Sequence, residues 1–475
     1  MPENLDAVSI AERAEAPTHR SPTASRRLRR WRTRRNAPLR IAALLLWLVA
    51  AVWVQLIRSS GTPVWDAFWA EDGRFFYGQA RERSLWHLWH VELGGYLQVA
   101  PRLLASIAAK FPVQDAAFAT AFLAALTCAL LSVYVYAATD GVLRRRWQRC
   151  AIAALLVLNP AAAYEVNATF NNLHWFLMVA AFWACWSRAT RRPRVALDVA
   201  VVVLAALSDP LTGLLLPLVG WRAWRGSRVA RWITAGLVAA LALQYWLGVA
   251  GNTPHQNGPR GFAHMPEVYG LRVAGSFLVG ESNLRSWWGS HGAWTAYAAL
   301  LLVAVGMALA VSFARDRERR LLAVLLTYSV AFLIAPLTTR GGAVIYLRHP
   351  FTLNGSRYTV IPLWLLYSAL IVAVGLPWRL PRAVRGWPLP SLAIVLIGSQ
   401  LVANFAPAGA RTSGGSWREG LKVARAGCAA HETGFLPGPF LGQARPSIVR
   451  GTVFIPVSPY GNYFWSVRLH CSDLS

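Results

Sequence analysis

The chain alternates long apolar runs with short connectors rich in arginine or in aromatic residues. Uncharged or nearly uncharged runs fall at 41–57, 117–139, 150–163, 173–187, 195–208, 210–221, 231–249, 293–313, 321–338, 358–376 and 389–404. A helix of about 20 apolar residues crosses a hydrocarbon core of ~30 Å. The pattern therefore predicts an all-α polytopic membrane protein with about eleven transmembrane helices. The runs between 150 and 221 are short, and Ser208-Asp209-Pro210 interrupts the stretch from Ala196 to Trp221. Proline lacks the amide N–H that a helix interior needs, so two short helices are expected there, with Ser208-Asp209 capping ahead of Pro210.

Three longer segments depart from this rhythm. The first, 58–116, comes directly after the first run and holds Leu85-Trp86-His87-Leu88-Trp89-His90 and Val99-Ala100-Pro101-Arg102-Leu103-Leu104. Aromatic residues at that density beside a span predict interfacial helices. The second, 250–292, contains an amphipathic stretch near Glu267–Val279. The third carries Arg340, Arg348 and His349 and leads to Arg357-Tyr358, which opens a late run. Beyond residue 405 the character changes. Trp417–Ala426 has helical apolar spacing and Thr452–Val457 alternates like a strand. The expected domains are a disordered basic tail at 1–36, a transmembrane domain at 37–405 and a small C-terminal α/β domain at 406–475.

Composition supports this reading: 55% of the 475 residues are hydrophobic and only 15% are charged. Charge then orients it. The 48 basic residues outnumber 21 acidic ones, and they cluster at Arg26–Arg35, Arg144–Arg146, Arg188–Arg194, Arg222–Arg231, Arg315–Arg320 and Arg379–Arg385. These clusters flank alternate runs, which predicts a cytoplasmic N-terminus and an extracytoplasmic C-terminus in an inner (plasma) membrane. Placed there, they meet anionic membrane lipids, and no nucleic-acid partner is called for. Lys110 and Lys422 are the only lysines, an arginine bias typical of GC-rich bacterial genomes. Cys428 and Cys471 share the C-terminal segment, where they are either paired or free.

In a chain so poor in acids, Trp65-Asp66-Ala67-Phe68-Trp69-Ala70-Glu71-Asp72-Gly73 stands out, because three carboxylates fall just outside the first span. Asp72, Glu71 and Asp66 are the candidates for a general base, with Asp72 and Glu71 ahead of Asp66. The alternatives are capping of a helix over Gly73–Arg83 by Glu71 and Asp72, and a turn role for Asp66. A second polar constellation, Tyr164-Glu165-Val166-Asn167-Ala168-Thr169-Phe170-Asn171-Asn172-Leu173-His174-Trp175, bridges two spans. Its amides beside aromatic faces suit sugar hydroxyls, and Asn171, Asn172 and His174 are the substrate-binding candidates; as an alternative, Asn172 caps the following helix. Arg102, Arg340, Arg348, His349 and Arg357 are candidates for holding a phosphate, since guanidinium matches it with a planar fork. Anchoring of an interfacial helix by Arg102 and snorkelling by Arg357 are the plainer alternatives.

An acidic first loop after the first span resembles the GT-C superfamily of membrane glycosyltransferases. So do the paired short spans, the Arg357-Tyr358 start of a late span and the small C-terminal domain. The resemblance implies a polyprenyl-phosphate-sugar donor, a glycan or lipid acceptor of the cell envelope, and transfer on the outer face with inversion. It leaves a divalent cation, Mg2+ or Ca2+, open as a cofactor on Asp66, Glu71 and Asp72. A transporter or flippase for a lipid-linked saccharide is the alternative function. It needs the same groove but no base.

Overall fold

The computed structural model describes residues 37–84, 87, 95–249, 264–339, 356–376, 388–407, 415–436, 445–458 and 465–474. Arg340, Arg348 and His349 lie outside the described residues, as does the tail before residue 37. The chain divides between Trp47 and Leu48 into two units. Residues 37–47 belong to the first unit, and the remaining described residues to the second.

Helix α1 (Ala37–Ile57) straddles that division. After it the first long segment forms a π-turn at Asp72–Tyr77 that runs on into Gly78–Glu82. Then come α2 (Val99–Ala108), α3 (Ala116–Ala138), α4 (Arg146–Leu158) and α5 (Leu173–Trp186). The next six are α6 (Arg192–Ser208), α7 (Leu216–Trp224), α8 (Arg228–Gln244), α9 (Glu281–His291), α10 (Trp294–Phe313) and α11 (Asp316–Thr339). The helices α12 (Val360–Val374), α13 (Pro388–Ala403) and α14 (Trp417–Ala429) complete the set.

Four stretches are long and apolar enough to cross a membrane: Pro38–Ile57, Val113–Ala138, Trp294–Phe313 and Asp316–Thr339. Val99–Ala108, Leu173–Trp186, Val360–Val374 and Ser391–Ala403 are apolar but shorter. The expected count of about eleven spans, several of them short, is thus not confirmed among the described residues. The reason is local: Asn159-Pro160 ends α4 after 13 residues, about 20 Å. Asp209-Pro210 likewise ends α6, and Asp209 Oδ1 accepts from Leu211 N at 2.8 Å, the expected cap at the expected break.

The core is built around α5 and α12, whose side chains are buried nearly all round. Trp175, Trp183 and Trp364 are fully buried, and Trp183 meets Trp364 edge-on at 6.2 Å. By contrast α10 and α13 expose Leu301, Leu302, Leu309, Phe313, Ile394, Val395 and Val402. Apolar faces this continuous suit lipid rather than water. We therefore read the chain as a membrane protein. The helices α3, α5 and α12 each run from the end that carries the acidic first loop to an opposite end rich in arginine.

The C-terminal segment is an amphipathic helix on a small sheet. Strands β1 (Gly434–Phe435), β2 (Ser447–Val449), β3 (Thr452–Pro456) and β4 (Ser466–His470) form one antiparallel sheet in sequential order. Cys428 and Cys471 are joined in a disulfide that ties α14 to the chain end just after β4. This unit sits on the first loop. Trp69 pairs with Ser458 as an isolated parallel bridge, Phe68 meets Trp417 edge-on at 5.0 Å, and Arg81 pairs with Asp473 at 3.2 Å. A Cβ at Gly73 would come within 2.9 Å of Val467 and 3.2 Å of Phe68, so the π-turn needs glycine where it meets β4.

Asp66 belongs to this junction. Its carboxylate accepts from the Ser416 hydroxyl and, at 3.1 Å, from Arg418 N, while Ser416 Oγ accepts from Glu419 N and so caps α14. Losing such a cap costs about 1 kcal/mol, roughly a fivefold change in population. Limited proteolysis of the full chain in detergent should therefore release the C-terminal segment several-fold faster from Asp66→Ala, and less so from Asp66→Asn. Unchanged proteolysis combined with lost activity would return Asp66 to the chemistry.

Candidate functional site

The site is organised by one buried carboxylate. Asp72 is fully buried; its Oδ2 accepts from Phe170 N at 2.9 Å and its Oδ1 from Asn171 N at 2.7 Å. Hydrogen bonds to a charged group contribute about 1.5–3 kcal/mol each, and leaving two amides unpaired in this environment would cost as much again. The two contacts clip the first loop to the turn before α5, 98 residues away. Glu71, at the N-cap of the π-turn, makes no side-chain cap there.

That clip delivers Glu71 to Asn171, whose Nδ2 donates to Glu71 Oε2 at 3.2 Å. Backbone strain sits on both sides of the meeting point. Ala70 has φ +28° and Ala168 has φ +52°, in the left-handed region that non-glycine residues avoid. Both are buried and held by tertiary contacts.

A second buried carboxylate holds the cation of the site. Glu165 Oε1 accepts from the Ser356 hydroxyl at 3.2 Å and from Arg357 N at 2.8 Å, and its Oε2 accepts from Arg357 Nη1 at 2.9 Å. The Glu165 side chain is 3% exposed and that of Arg357 26% exposed, so the carboxylate is the more deeply buried half of the pair. The Arg357 guanidinium also lies over the Tyr358 ring at 4.9 Å. Burial pulls on its proton, but Glu165, Tyr358 and Glu71 together hold Arg357 above the ordinary arginine range, so it stays charged. Arg58, fully buried, braces the turn from behind by donating to Val157 O at 2.8 Å and Asn159 O at 3.0 Å.

The Glu71 carboxyl is pushed above the usual glutamate range. Burial is the main cause and Glu165 adds to it, while the Glu71 backbone hydrogen bond and Arg357 oppose the shift. A carboxyl tuned in this direction is a better proton acceptor once ionised.

The candidates therefore separate by exposure and partner. Glu71, Asn171 and Arg357 are partly exposed, and electrostatics and hydrogen bonds link them into one group. Asn172 is buried and donates to Glu165 O at 3.0 Å and to Thr169 Oγ1 at 3.1 Å; it clips the turn and does not cap α5 through its side chain. His174 points to the interior, 3.4 Å from buried Asp209 and against the rings of Tyr96 and Trp175. Arg102 is buried, donating to Leu97 O and to Gln79 Oε1 at 3.0 Å, and so ties α2 to the first loop. Glu165, which holds Arg357, is absent from the candidates read in the sequence. Its signal was a lone acid in a turn otherwise made of amides and aromatics.

The three first-loop acids differ in their partners. Asp66 serves α14, both Asp72 oxygens face backbone amides, and Glu71 is left alone among them. Among the described residues no three His, Cys, Asp or Glu side chains group as metal ligands.

No family model and no curated protein matches the chain. Among solved structures it is similar to the mycobacterial arabinofuranosyltransferase AftD, with a TM-score of 0.44 and 18% identity. The match covers 83% of this chain and 30% of that one, so the chain spans under a third of that protein's length.

Proposed function

We propose that the chain is a membrane glycosyltransferase that moves a sugar from a polyprenyl-phosphate donor to a cell-envelope glycan or lipid. The observation that supports it is the grouping at one end of the bundle of a carboxyl held high, an amide and a charged guanidinium, all three partly open, amid acids that are locked. Such a set supplies what transfer from a sugar phosphate demands.

In this reading the acceptor hydroxyl sits against Glu71 with Asn171 orienting it. As the hydroxyl oxygen bonds to the anomeric carbon, its proton passes to Glu71. The bond from that carbon to the phosphate oxygen breaks on the opposite face, so configuration inverts. The departing phosphate gains charge, and the Arg357 guanidinium stabilises it. Glu165 and Asp72 are positioning residues: one aims Arg357, the other holds Glu71. The arginine-rich opposite end would be cytoplasmic under the positive-inside rule, which would place the site on the outer face, where donors are lipid-linked.

Two outcomes are expected, measured with synthetic short-chain polyprenyl-phosphate sugars by release of polyprenyl phosphate. Glu71→Gln should lower turnover about 10²–10⁴-fold with donor affinity kept, whereas Glu165→Gln should weaken donor binding first. Normal turnover by Glu71→Gln would leave the transporter reading standing. The rate should also depend on pH. A raised carboxyl is protonated, and inactive as a base, up to a higher pH than an ordinary glutamate. The acid limb of turnover should therefore lie above the usual glutamate range in the wild type and disappear from the residual activity of Glu71→Gln. An acid limb at the ordinary glutamate position would remove Glu71 as the base.

A further inference from the structure

We propose that the arginine-rich end of the bundle contains a binding site for a phosphate anion, separate from the Glu71–Arg357 group. A cavity of about 290 Å³ opens there between the start of α4, the end of α5, the start of α11 and the end of α12. It is lined by Arg144, Arg145, Arg188, Arg315 and Arg317, with Glu318 the one acid among its lining residues.

The positive-inside tendency accounts for arginines at this end of the bundle. It does not account for five of them around one hollow. Arg317 is fixed there by donating to Val142 O at 2.8 Å, and its charge acts against those of Arg188 and Arg144. Like charges held together repel, and one carboxylate cannot offset five guanidiniums. An anion in the hollow would relieve that repulsion.

The backbone points the same way. Helix α4 is 13 residues long and starts at Arg146; its N-cap, Arg145, makes no side-chain cap. Its first amides and the positive end of its dipole therefore lie beside the cavity-lining Arg144 and Arg145. The floor is closed by packing. Gln148 Nε2 donates to Ile371 O at 3.0 Å, and a Cβ at Gly375 would come within 2.1 Å of that nitrogen.

Chemistry selects the ligand. Guanidinium forks and helix amides both match phosphate oxygens. The volume lies at the small end of ligand cavities, with ample room for a phosphate group. The phosphate belongs either to an anionic lipid head group, which basic pockets between membrane helices take up, or to free phosphate. The 14 residues of α5, about 21 Å, separate this cavity from the turn that carries Asn171.

The test is thermal unfolding of the full chain in neutral detergent. It is titrated with phosphatidylglycerol micelles, with inorganic phosphate at matched phosphate concentration, and with phosphatidylcholine as the uncharged control. Arg144 and Arg188 are exposed at the rim, so the double variant Arg144→Gln/Arg188→Gln should fold. Arg225→Gln, exposed and outside the cavity lining, is the charge control. The wild type and Arg225→Gln should be stabilised in a saturable way, and the double variant should bind about tenfold more weakly or worse. Stabilisation by phosphatidylglycerol alone names a lipid head group; stabilisation by inorganic phosphate names the free anion. No stabilisation by either, or stabilisation that the double variant retains, overturns the proposal. If the double variant is not monodisperse, Arg188→Gln alone carries the same comparison.

Discussion

The buried carboxylate of Asp72, clipped to the amides of Phe170 and Asn171, is the constraint on which the rest of the site depends. It joins the first loop to the turn before α5 through two charge-assisted bonds in a place that water does not reach. Glu71 is placed beside Asn171, and the same turn supplies Glu165, which aims Arg357. The C-terminal sheet then packs on the outside of the π-turn through Gly73, where no side chain would fit against Val467. A single buried carboxylate thus fixes its neighbour's position.

This division of labour explains how two adjacent acids come to have different characters. Asp72 is satisfied by backbone donors and is tied up. Glu71, one residue earlier, is partly desolvated with one amide donor, so its proton is held more firmly than in solution. Arg357 lies across from it with its countercharge buried beneath. The ion pair is neutral overall, and its carboxylate is buried more deeply than its arginine. An exposed ion pair would be screened and loosely held.

Much of the scaffold was legible along the chain. The apolar runs placed α3, α10, α11 and α12, the Ser208-Asp209-Pro210 break fell where α6 ends, and the spacing of Trp417–Ala426 and Thr452–Val457 foretold α14 and β3. These are local properties, set by periodicity, proline and capping. The acidic loop and the amide-rich turn were also visible as unusual clusters. The assignment of roles within them was not. Whether Asp66, Glu71 or Asp72 is the open one depends on partners 98 to 352 residues distant. The pairing of Arg357 with Glu165 spans 192 residues, and no local pattern marks it. His174 is a substrate candidate through the amide- and aromatic-rich segment that contains it, whereas its burial against Asp209 is a property of helix packing.

The central claim is that Glu71, Asn171 and Arg357 form the reacting group while Asp72 and Glu165 hold it. The most direct measurement is an experimental structure of the full chain bound to a non-cleavable polyprenyl-phosphonate sugar. The account predicts a phosphonate oxygen within hydrogen-bonding distance of the Arg357 guanidinium and the sugar against Glu71 and Asn171, with the Asp72 contacts to Phe170 and Asn171 unchanged. A phosphonate seated away from Arg357, or Asp72 released from those amides to touch the sugar, would contradict it.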